Sequence, residues 1–112
     1  GGKAAEEYAG RGAGGDGAVK MSEDHILQAA LTIYGPDMQK IVAIEELSEL
    51  QKELCKSLRC ADNVGRIAEE IADVQIMLDQ MVMLFGCSEE TEKWRADKIE
   101  RLKIRMAAVP SV

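Results

Sequence analysis

Residues 67–85 read IAEEIADVQIMLDQMVMLF, and this run decides the architecture. Ile67, Ile71, Val74, Leu78, Met81 and Phe85 recur at three- and four-residue intervals, the spacing that lines up side chains on one face of an α-helix. Gly86 stops this helix, and Asp62 or Asn63 caps its start. Working outward, the segment from Arg59 to Asn63 reads as a loop. A second long helix is predicted upstream, from Pro36 to about Leu58. Pro36 suits its first turn and Asp37 its positive end, and Ile44, Leu47, Leu54 and Leu58 share one of its faces. Further upstream, Ser22 caps a short helix over residues 23–34 that ends at Gly35. Downstream, Ser88 is the expected cap of a last helix, with Glu89, Glu90 and Glu92 in its first turn, running to about Ala107. Short connections between long helices favour antiparallel neighbours, so the expected fold is all-α, a compact antiparallel bundle of about four helices.

Composition agrees. Two prolines and 4% aromatics in 112 residues, with Ala, Leu, Ile, Met, Glu and Lys dominant, describe one helical domain. Residues 1–20 hold seven of the ten glycines and read as a flexible extension or a cloning remnant ahead of the domain at 21–112. A formal net charge of −6 argues against nucleic-acid binding by the whole surface. Cys55, Cys60 and Cys87 are odd in number and show no C-x-x-C spacing, so reduced thiols in a cytoplasmic protein are expected. No stretch approaches the roughly 18 apolar residues that a membrane span needs. Long helices in so short a chain leave apolar surface over, which predicts a homodimer or homotetramer.

Two acidic motifs carry the chemistry: Glu45-Glu46-Leu47-Ser48-Glu49 and Glu69-Glu70-Ile71-Ala72-Asp73. Residues three apart lie on adjoining parts of one helix face, so Glu46 pairs with Glu49 and Glu70 with Asp73. In an antiparallel hairpin the two pairs meet. Each motif alone is ordinary on an exposed helix. Here, however, Glu70 falls within an apolar stripe and Glu46 borders Ala43 and Leu50. Converging carboxylates against apolar packing repel one another unless a cation compensates. An all-oxygen set suits Mg²⁺, or Mn²⁺, better than zinc or copper. A di-iron bundle would use E-x-x-H motifs, and the single histidine, His25, is remote in sequence and reads as a surface or packing residue. On the last helix Lys98, Arg101 and Arg105 form a basic stripe, either a phosphate-binding surface or a solvated face. Trp94 continues that stripe and is expected to pack against another helix.

These residues resemble the MazG-like all-α nucleoside triphosphate pyrophosphohydrolases, whose signature is E-E-x-x-E followed by E-x-x-D. The run Ile33-Tyr34-Gly35-Pro36-Asp37-Met38-Gln39 looks like the family's lead-in to its long helix. Lys98-Ile99-Glu100-Arg101-Leu102 looks like its basic closing helix. The resemblance spans residues 22–106. It implies Mg²⁺ bound by Glu46, Glu49, Glu70 and Asp73, and cleavage of a nucleoside triphosphate between the α and β phosphates to a monophosphate and pyrophosphate. Glu45 matches the family's extra acid, which orients the attacking water or helps hold a second ion. Gln39 is expected near the nucleotide, with Lys98, Arg101 and Arg105 on its phosphates. The chain departs from the pattern in having no asparagine near the closing segment; Asn63 is its only one. A narrower relative, acting on dUTP, dCTP or phosphoribosyl-ATP, and a non-catalytic helical binding module are the alternatives.

Overall fold

The computed structural model describes residues 21–59 and 62–110. The reading of residues 1–20 as flexible lies outside them, as does part of the expected loop at 59–63. Among the described residues every regular element is an α-helix: α1 (Glu23–Tyr34), α2 (Pro36–Ser57), α3 (Val64–Phe85) and α4 (Ser88–Ala107).

The helix ends follow local chemistry. Ser22 Oγ accepts the backbone N–H of His25 at 3.2 Å and caps α1. Gly35 ends α1 at φ 87°, a conformation that side chains with a Cβ rarely adopt, and Pro36 opens α2 directly after it. Gly86 ends α3 in the left-handed region at φ 60°. Two expected caps differ. Asn63 stands at the start of α3, but its side chain does not cap the helix; its Nδ2 donates to the carbonyl and the carboxylate of Glu53 on α2, at 2.9 and 3.0 Å. Cys87, not Ser88, precedes α4: its carbonyl accepts from Thr91 N–H at 2.9 Å, which places Ser88 inside the first turn.

α2 and α3 form an antiparallel hairpin whose alignment can be read from its cross-links. Gln39 meets Gln80, Glu46 meets Asp73, and Glu53 meets Asn63; the order rises along α2 and falls along α3. α1 packs on both helices and contributes Leu27, Ala30 and Leu31 to the core, with Ala43 from α2 and Val74 and Met77 from α3. α4 touches only α3 and buries none of its residues. Three helices therefore share the core and the fourth extends from it.

The buried seam of α2 is not its most apolar face. Gln39, Ala43, Glu46 and Glu53 are buried, whereas Ile44, Leu47 and Leu54 are exposed and Leu58 is 85% exposed. The expected apolar face exists, but it points away from α3. The α3 stripe divides likewise: Val74 is buried, Ile67 and Met81 are half-buried, and Ile71, Leu78 and Phe85 are exposed. Buried polar side chains, among them Gln39, Glu46, Glu70 and Gln80, line the facing sides together with Ala43, Val74 and Met77.

Truncating Met77 to Ala removes one of the few apolar residues buried in the hairpin, with an expected loss of about 2–5 kcal/mol. Gly86→Ala forces a Cβ into the left-handed region, with an expected loss of about 1 kcal/mol. Urea unfolding followed by circular dichroism measures both. A Met77→Ala variant as stable as the parent would contradict the described core.

Candidate metal centre

Glu46 and Glu70 reach the site because each occupies the inner side of its helix. Glu46 is 0% exposed and Glu70 is buried, while Asp73 is half-buried one turn along α3 from Glu70. One carboxylate oxygen from each of Glu46, Glu70 and Asp73 lies within 4.8 Å of the other two. Seven residues before Glu46 and seven after it, Gln39 and Glu53 also face α3, so the acids occupy the middle of a polar seam.

The electrostatics are those of crowded like charges. Burial, a hydrogen bond to Asp73 and the charge of Asp73 raise the Glu46 carboxyl from its ordinary 4.5 to about 7. Two hydrogen-bonded carboxyl groups must hold a proton between them, so metal-free Glu46 donates to Asp73 when protonated. Burial also pushes Glu70 up, with the charges of Asp73, Glu49 and Glu69 adding to it. Glu70 Oε2 is buried with no hydrogen-bond partner. Glu53, by contrast, is held below the usual carboxylate range by the Asn63 amide, with Lys56 helping at 3.3 Å. Its charge is matched inside the chain.

The residues fit a hard divalent cation. Three oxygen donors converge, one with an unused buried oxygen, and ionising all of them is unfavourable without added positive charge. Glu49, the expected fourth ligand, is half-buried and close enough to raise Glu70. Glu45 is exposed on α2, beside the cluster in sequence and turned outward.

The remaining candidates lie elsewhere. Gln39 is buried in the α2–α3 seam, and its Nε2 donates to Gln80 Oε1 at 2.7 Å. Lys98, Arg101 and Arg105 are exposed on α4, which makes no contact with α2. Within one chain they are therefore not brought against Glu45, Glu46 or Glu49. Arg101 pairs with Asp97 at 2.9 Å. Lys98 and Arg101 sit over the Trp94 ring, 5.8 and 5.9 Å from its centroid. Trp94 thus carries cations of its own helix instead of packing on another, since α4 has no second helix across from this face among the described residues. Gln80 was not singled out from sequence. The signal was present: it lies seven residues after Asp73, as Gln39 lies seven before Glu46.

Comparison of the chain with protein-family profiles, with curated proteins and with solved structures returned no match.

The raised Glu46 and Glu70 carboxyls set a pH dependence. The folded chain holds protons that the unfolded chain releases above about pH 4.5, so the metal-free fold loses stability as pH climbs toward about 7. Thermal unfolding in chelator should therefore show a lower Tm at pH 8 than at pH 5. Added MgCl₂ or MnCl₂ should recover more at pH 8, where the ligands are ionised. A metal-free Tm that rises across this interval would contradict the described cluster.

Proposed function

We propose that the chain is a Mg²⁺-dependent nucleoside triphosphate pyrophosphohydrolase that splits (d)NTPs between the α and β phosphates. The observation that carries this reading is the convergence of Glu46, Glu70 and Asp73 within 4.8 Å across an antiparallel helix pair. The resemblance of its acidic motifs to the MazG-like family supplies the reaction. Glu46, Glu70 and Asp73, with Glu49, hold the ion. A Mg²⁺ ion held there would offset the polyphosphate charge and make water a better nucleophile. Glu45, outside the crowded cluster, is the base that accepts a proton from the attacking water.

Lys98, Arg101 and Arg105 grip phosphate oxygens as charge partners. Since α4 does not meet α2 within one chain, these bases serve the site from a second copy. Exposed Ile44, Leu47, Leu54 and Leu58 on α2 and Ile71, Leu78 and Phe85 on α3 are the surface that such a copy covers. The protein acts as a homodimer or a pair of dimers on the cytoplasmic nucleotide pool. No helix among the described residues is long and apolar enough to cross a membrane.

A panel of (d)NTPs with Mg²⁺ should release pyrophosphate and a monophosphate; orthophosphate as the sole inorganic product would exclude α–β cleavage. Glu70→Gln keeps the side-chain shape but removes a ligand charge, and should cut turnover by about 100-fold or more with unchanged helix content. Light scattering at micromolar concentration should give a dimer or larger. A monomer would remove the second-copy role assigned to α4.

A further inference from the structure

We propose that Gln39 and Gln80 are positioning residues: their buried amide pair locks the axial register of α2 against α3 and so holds Glu46 opposite Asp73. This rests on reading the acid cluster as a functional centre, and it gives Gln39 a role in the helix seam in place of nucleotide contact.

Apolar packing does little to set that register. The large apolar side chains of α2, including Ile41, Ile44, Leu47 and Leu54, are exposed. Against α3 the helix presents Gln39, Ala43, Glu46, half-buried Leu50 and Glu53. Apolar contact is non-directional and tolerates sliding, whereas a hydrogen bond does not. The Glu46–Asp73 hydrogen bond marks the same alignment, but it lasts only while the two carboxyls share a proton. A bound cation would replace that proton, so other directional links must fix the register.

Two directional links flank the cluster along α2. On one side Gln39 Nε2 donates to Gln80 Oε1 at 2.7 Å, with the two residues 2% and 0% exposed. On the other, the Asn63 amide grips Glu53 at 3.0 Å, next to the α2–α3 connection, which already restrains that end. The amide pair is the lock at the end remote from that connection. Sliding would separate two buried amides that water cannot reach, and an unpaired buried amide is more costly than a paired one is stabilising. A single buried polar residue that fixes helix register at some expense of stability is known from coiled coils.

The test places nitroxide labels at Gln51→Cys and Gln75→Cys, both exposed positions. Cys55, Cys60 and Cys87 are replaced by Ser, and the labelled chain is diluted with unlabelled chain. Pulsed electron paramagnetic resonance then reads the α2–α3 distance in metal-free protein. The parent should show one narrow distance. The variant Gln39→Leu/Gln80→Leu, which replaces the amides by apolar groups of similar size, should keep its helix content and its Tm or raise it. Its distance should nevertheless shift or split by about 5 Å, the rise of one turn, and its affinity for Mn²⁺ alone should fall at least tenfold. If the Leu pair does not fold, Gln39→Asn/Gln80→Asn, with both amides too short to meet, carries the same expectation for distance and Mn²⁺ affinity, at a lower Tm. A folded variant with the parent's distance distribution overturns the proposal whatever the metal result. Failure of the parent to bind Mn²⁺ overturns the metal centre instead, and the distance measurement still decides the lock.

Discussion

Glu46, Glu70 and Asp73 bring carboxylate oxygens within 4.8 Å of one another between two helices, and the rest of the structure is arranged around that crowding. Three negative charges at this separation, partly out of water, cannot all ionise without a compensating charge. The metal-free chain responds by holding Glu46 protonated up to about pH 7. A bound cation would replace the proton. The same crowding that destabilises the empty hairpin therefore gives it affinity for a hard ion.

The buried seam has the character of a ligand cage more than of a core. Among the described residues six apolar ones are buried, three of them on α1, and five polar or charged ones are buried in the seam: Gln39, Glu46, Glu53, Glu70 and Gln80. Polar groups are directional and specify alignment, whereas apolar groups supply most of the favourable burial. In this chain the two are separated. Alignment lies inside the hairpin, and much of the apolar area, from Ile44 to Leu58 on α2 and Ile71 to Phe85 on α3, lies outside. An assembly of copies that covers the outer faces would place burial and alignment in one structure. It would also give α4, which buries nothing in its own chain, a surface to act upon.

Much of this was legible in the sequence because it is local. Helix ends depend on Ser22, Gly35, Pro36 and Gly86, whose effects act within a turn. The acidic pairs follow from three-residue spacing and one antiparallel connection, and Glu46, Glu70 and Asp73 do converge. What the sequence concealed is which side of each helix faces its neighbour. Apolar spacing on α2 pointed to Ile44, Leu47, Leu54 and Leu58, yet the seam runs through Gln39, Ala43, Glu46 and Glu53. Periodicity reports that a helix has an apolar side; it does not report that a rival polar side with seven-residue spacing finds matching partners across the hairpin. Asn63 misled for a related reason: its amide serves α2 through a non-local bond in place of its own helix start. Trp94 looked like a packing residue because α4 was expected to lie within the bundle.

The most direct measurement is a crystal structure of the protein grown with MnCl₂, with an anomalous difference map calculated at a wavelength where manganese scatters anomalously. A peak bridging the carboxylates of Glu46, Glu70 and Asp73, with the Glu46–Asp73 hydrogen bond replaced by coordination, is the predicted result. A map with no peak there, and with Glu46 still hydrogen-bonded to Asp73 in saturating Mn²⁺ at pH 8, would contradict the account.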